Sequence, residues 1–232
     1  MSAPSLLIPI EFPNPDPLPS SFVSGFTSCK VTLLGLYKTP GEMDAEERQR
    51  QAVEANYVLY SLAHQFIQHG ASAEVELVMD EDVETTPTTV AEERDMDALL
   101  IPNPITNLGR VLIAVRDETF ADSVEEFVGT LNEDVIHHVT LMNVTDSEQT
   151  DEKEALLSSL RDRLVDAGFS KFAIDTNVVV SDDPAFEIGE AAQSHDLVVM
   201  GETEESTTQR VFGKTYELVA DETDRPVVVL RE

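Results

Sequence analysis

The chain has 232 residues, a length that suits one large domain or two of about 115 residues. It carries 45 Asp and Glu against 15 Lys and Arg, for a formal net charge of -30. That balance excludes a sequence-independent nucleic-acid binder, which needs a cationic excess to neutralise phosphates, and electrostatic docking on an anionic membrane. Cys29 is the only cysteine, which excludes an internal disulfide framework and a CxxC zinc or redox site. Residues 1–10 lack the basic start and long apolar run of a signal peptide, and no apolar run approaches the roughly 20 residues of a membrane span, so a cytoplasmic protein is expected. Hydrophobic residues make up 41% of the chain and fall in blocks, which points to a folded core under an acidic skin rather than to disorder. The excess of Glu and Asp over Lys suggests adaptation to high salt, where screening suppresses self-repulsion.

In chain order, residues 6–10 (LLIPI) read as a strand. A Pro-rich stretch over 11–28 has too little periodicity for a full helix. A second strand follows at 31–36 (VTLLGL). Residues 44–69 form a long helix with Ala52, Ala55, Leu59, Leu62 and Phe66 on one face, opened by Asp44 with Glu47 and stopped by Gly70. Strands at 73–79 (AEVELVM) and 97–101 (DALLI) lead into Pro102-Asn103-Pro104.

The order then restarts. Residues 110–115 (RVLIAV) form a strand, and a helix from Thr119 turns Phe120, Val124, Phe127, Val128 and Leu131 to one side. A strand at 138–144 precedes a helix at 151–167 with Leu157, Leu160 and Leu164, an Asp151–Glu154 capping box and a Gly168 stop. A strand at 172–180 follows. Asp183-Pro184 then opens a helix with an apolar face of Phe186, Ile188, Ala191 and Ala192. Strands at 197–200 (LVVM) and 227–230 (VVVL), separated by a helix over about 212–220, have the continuous apolar character of strands covered on both faces.

Strict alternation of strand and helix predicts an α/β protein with parallel sheets and right-handed crossovers. The second half repeats the first at an offset of about 100 to 108 residues, too long for a solenoid unit. Two copies of one domain are expected, at 1–107 and 108–232, the first lacking its last helix and fifth strand.

The paired strands VTLLGLY and VTLMNV, the acidic residue opening DLVVMGE, and the tail GKTYELVADETDRPVVVL together resemble the universal stress protein family in its tandem form, of an acidic haloarchaeal type. The resemblance covers nearly all of the second half and the first half more weakly. It implies two doubly wound domains with strand order 3-2-1-4-5. It also implies a pocket where strands one and four diverge, formed by Arg116, Asp117, Val144, Gly201, Gly213, Lys214 and Thr215. Nucleotide-binding members of the family carry a loop of the form G-x-x-G-x9-G-[ST] after the fourth strand. Here Gly201 and Gly213 fit, Glu204 replaces the middle glycine, the loop is one residue short, and Lys214 takes the [ST] position. The family's Asp at the end of strand one is replaced by Arg116, with Asp117 one residue late. The resemblance therefore implies a non-enzymatic stress-response regulator with degenerate nucleotide binding. The alternatives are an ATP- or AMP-binding stress protein using the 201–215 loop, and an interaction module that modulates a transporter or another protein.

Other signals are weaker. Gly213-Lys214-Thr215 resembles the end of a Walker A loop, but Thr208 stands where its first glycine belongs, so a turn into the last helix is expected. His64, His69, His137, His138 and His195 form no metal-ligand pattern, and no catalytic nucleophile is expected. Cys29 reads as a small buried hydrophobe. The strand at 227–230 is expected to lie between the two copies and cover the open edge of the first, making an internal pseudo-dimer. A homodimer of whole chains is a secondary expectation, beside an unidentified protein partner.

Overall fold

A computed structural model describes residues 3–41, 43–105, 107–145, 149–201, 219–220 and 223–231. The first half runs β1 (Ser5–Phe12), α1 (Ser20–Gly25), β2 (Lys30–Lys38), α2 (Ala45–Gln68), β3 (Ser72–Asp80), α3 (Thr86–Glu93) and β4 (Ala98–Ile101). The second runs β5 (Arg110–Ala114), α4 (Glu118–Val128), β6 (His138–Thr145), α5 (Thr150–Asp166), a 3-10 turn (Lys171–Ala173), β7 (Ile174–Val180), α6 (Pro184–Ala192), β8 (Leu197–Gly201) and β9 (Val227–Leu230).

The nine described strands join one sheet in the order β3-β2-β1-β4-β9-β8-β5-β6-β7. Read from its outer edge, the second half has the 3-2-1-4-5 order of a doubly wound unit, and the first half has the same order without a fifth strand. β9 occupies the vacant place. It pairs parallel with β8 and antiparallel with β4, Ala98 opposite Leu230 and Ile101 opposite Val227. This is the sheet's one antiparallel pairing among the described strands. All four β9 side chains are buried, as a strand between two layers requires.

α1, α2, α4 and α5 cover one face of the sheet with a single apolar core that crosses from one half to the other. α3 and α6 cover the opposite face over two smaller clusters. α1 stands in place of a full crossover helix, yet Phe22, Val23 and Phe26 are all buried. Phe26 packs on Phe127 of α4 at 6.4 Å between ring centroids. Asn132 ties the halves by donating its backbone N–H to Gly25 O and its amide to Ser24 O. The Cys29 thiol lies 3.1 Å from Thr130 Oγ1, whose own hydroxyl donates to Phe127 O, so the thiol is the donor. Burial pushes this thiol's pKa up.

The acidic residue before each fourth strand has a structural role. Asp97 accepts from the N–H and hydroxyl of Ser5, and Asp196 accepts from the N–H groups of Gly109 and Arg110. Each thus ties the start of a fourth strand to the start of its first.

Three local expectations differ from the structure. The capping box at Asp151 does not form, because α5 begins at Thr150 and Asp151 lies inside its first turn. Residues 171–173 form a 3-10 turn rather than strand, which leaves Phe172 exposed. α6 buries Ala185, Ile188, Gly189 and Ala192, the regular i, i+3, i+4, i+7 set, which leaves Phe186 outside it and exposed. The last helix is described only at Val219 and Ala220; the rest of that expectation falls outside the described residues. No helix among the described residues is long and apolar enough to cross a membrane.

Candidate functional site

Parallel strands deliver their carboxyl ends to one rim of the sheet, and a crevice opens where neighbouring crossovers leave in opposite directions. In the second half that point lies between β5 and β8. After β5 the chain passes through Val115 and Arg116 to Asp117, which caps α4 by accepting from the Phe120 N–H at 3.0 Å.

Three side chains hold this turn. Arg116 Nε donates to Asp117 Oδ2 at 2.6 Å. Asn143, near the end of β6, donates through Nδ2 to Val115 O at 2.6 Å and to Arg116 O at 3.3 Å. Lys153, in the first turn of α5, donates through Nζ to Arg116 O at 3.2 Å. Burial works against the charge on Asp117, but the Phe120 N–H and the Arg116 guanidinium outweigh it and hold its carboxyl below the ordinary range. Asn143 is itself buried. Because its nitrogen is committed to two carbonyls, its oxygen is fixed as the remaining acceptor, and Oδ1 has no partner among the described residues.

Beside the turn lies a cavity of about 320 Å³, at the small end of ligand-pocket sizes. Ala114, Met142, Ile188 and Met200 give it apolar walls, and Arg116, Lys153, Asn143, Thr145 and Gln149 supply its polar side chains. Its described lining contains two cations and no Asp, Glu, His or Cys. In a chain with three acidic residues for every basic one, that is a local inversion of charge.

Of the residues expected at this pocket, Arg116, Val144 and Gly201 line the cavity. Asp117 adjoins it without lining it, its carboxylate engaged by the helix cap and Arg116. Gly213, Lys214 and Thr215 lie outside the described residues. Gly201 has a packing reason to be glycine: a Cβ there would stand 2.8 Å from the Phe120 ring, which also lines the cavity. Sequence reasoning passed over Asn143 and Lys153. The signal for Asn143 was present as the one amide in the apolar run VTLMNV.

The same corner of the first half, after β1, β2 and β4 and beside the start of α3, holds a cavity of about 460 Å³. Its charged lining is Glu11, Glu84 and Lys38, and Lys38 is held 3.7 Å from Glu84. The two corners share a position and differ in charge. Among the described residues no group of side chains could hold a metal ion.

No family model and no curated protein matches the sequence. Solved structures match the fold along the whole chain. A universal stress protein from Archaeoglobus fulgidus superposes with a TM-score of 0.62 at 14% identity, covering 98% of this chain and 96% of that one. A Pseudomonas aeruginosa protein assigned as a universal stress protein gives 0.55 at 17% identity, covering 99% and 94%. A functionally unknown Pseudomonas aeruginosa protein gives 0.54 at 16%, covering 99% and 93%. At these identities the likeness is one of fold, and the chain has the universal stress protein fold.

Proposed function

We propose that the chain is a stress-response regulator of the universal stress type, built from two fused copies at 1–107 and 108–232, whose second-half cavity takes a small anionic ligand such as AMP. The observation that carries this reading is the pair Arg116 and Lys153 in a cavity whose described lining holds no carboxylate. Lys153 and the Arg116 guanidinium, which is shared with Asp117, leave this corner cationic and suited to a phosphate group, and the apolar walls with the acceptor Asn143 Oδ1 suit a base that donates N–H. The fusion reading is supported by the matching strand orders and the paired ties at Asp97 and Asp196.

A monophosphate is favoured over ATP. The sequence after Gly201 carries Glu202, Glu204 and Glu205, and every added phosphate increases repulsion with them. Regulation rather than turnover is favoured because the described lining offers no nucleophile paired with a base, and Asp117 is already engaged. The test is a mass spectrum of protein purified in molar KCl and gently denatured. Release of AMP or a similar monoanionic-to-dianionic nucleotide supports the reading. Release of ATP transfers it to the triphosphate alternative, and ligand-free protein that also ignores added AMP removes it.

A further inference from the structure

The outer face of α2 is unlike the rest of the surface. Residues 55–70 contain no Asp, Glu, Lys or Arg, where the chain's 26% charged content would place about four. The helix packs on the sheet through Ala55, Leu59, Leu62, Ala63 and Phe66. A second stripe, Val53, Tyr57, Tyr60, His64 and Ile67, runs along its outside at alternating spacings of four and three. Val53 is 59% exposed, Tyr57 78%, Tyr60 64% and Ile67 52%. These four account for over half of the large exposed hydrophobics among the described residues. Alternating four and three is the spacing of a helix seam that receives another helix.

We propose that this face binds the α2 face of a second copy of the chain, forming a two-fold antiparallel helix pair centred on Tyr60. The stripe is self-complementary: Val53 lies seven residues before Tyr60 and Ile67 seven after it. An antiparallel crossing at Tyr60 sets the Val53 of one copy against the Ile67 of the other and Tyr57 against His64, the isologous pattern a two-fold interface requires. It also lays the two helix dipoles head to tail.

Charge selects the same occupant. Two chains of formal charge -30 repel wherever their acidic faces approach, and a charge-free strip is where that repulsion is weakest. A basic partner would instead be drawn to the carboxylates elsewhere. Taking roughly 200 Å² per tyrosine, the exposed parts of the four apolar side chains come to about 450 Å² per chain. A symmetric pair therefore buries about 900 Å² before flanking residues are added, close to the roughly 1,000 Å² at which specific interfaces begin. This association does not depend on the ligand reading above.

The test is sedimentation of the full chain in molar KCl over a range of concentrations, beside the variant Y57E/Y60E. The expected result is wild type at twice the 25.6 kDa chain mass and the variant at 25.6 kDa with its circular dichroism unchanged. Tyr60→Cys should form an intermolecular disulfide under mild oxidation, while Phe172→Cys, more exposed but off the stripe, should not. Wild type that stays monomeric at all concentrations overturns the proposal and leaves the face to a different protein. A dimer that survives Y57E/Y60E overturns it as well.

Discussion

At the level of single residues, two side chains carry the sharpest expectations. Gly201 ends β8 against Phe120, and a methyl group there must move a buried aromatic ring that borders the cavity. Gly201→Ala should cost about 1–3 kcal/mol in urea unfolding, the usual range for overpacking, and should weaken any ligand by shifting Phe120 into the cavity. A neutral substitution would mean that the ring yields into the cavity without cost. His195 is buried, with Nδ1 donating to Ala191 O at 2.8 Å and Nε2 accepting from Thr140 Oγ1 at 2.9 Å. Burial lowers its pKa. Its neutral form therefore stabilises the fold fully above the unfolded value of about 6.5, and that contribution is lost as pH falls below it toward the folded pKa. The ring-proton signal of His195 should titrate below about 6.5 while melting temperature drops as pH falls below that value; a midpoint above about 6.5 contradicts this. Arg116, Val144 and Gly201 were legible from the sequence because a family pattern marks their positions. Asn143 and Lys153 were not, because an amide inside a strand and a lysine in a helix's first turn acquire meaning only when folding brings them to the carbonyls of Val115 and Arg116.

At the level of elements, strands and long helices were readable, and the ends of elements were less so. Asp44 and Asp183 cap their helices as expected, accepting from Glu47 N–H and Phe186 N–H. Gly70 and Gly168 stop theirs at φ values of +100° and +122°, which favour glycine. α1 escaped the periodicity argument because a six-residue helix is too short to show a repeat, and its burial is set by α4 from the other half. The junction between halves depends on another element the sequence left blank. Asn103, after β4, directs Nδ2 at Ala220 O, Thr223 O and Arg225 O, all within 3.1 Å, and so holds the segment that leads into β9. Asn103→Ala leaves part-buried carbonyls short of a donor and should destabilise by about 1–3 kcal/mol in denaturant melts. No loss would mean that β9 is positioned by strand pairing alone.

For the whole molecule, one sheet and one continuous core on its α2 and α4 face make the halves a single cooperative body. Its 30 excess negative charges then act together. Lowering KCl toward tens of millimolar lengthens the screening distance toward 30 Å, so melting temperature should fall steeply from its value in molar KCl. An unchanged melting temperature would remove the argument for adaptation to salt. The repeat made this architecture readable from the sequence. The charge difference between the two cavities was not, since it depends on which residues meet at each rim: Glu11, Lys38 and Glu84 at one, Arg116 and Lys153 at the other. That asymmetry is the central claim, and calorimetric titration of the full chain with AMP in molar KCl tests it most directly. The account predicts one site per chain, weakened at least about tenfold by Lys153→Ala or Arg116→Ala and unaffected by Lys38→Ala. Two equal sites, or a single site lost with Lys38 and indifferent to Lys153 and Arg116, would contradict it.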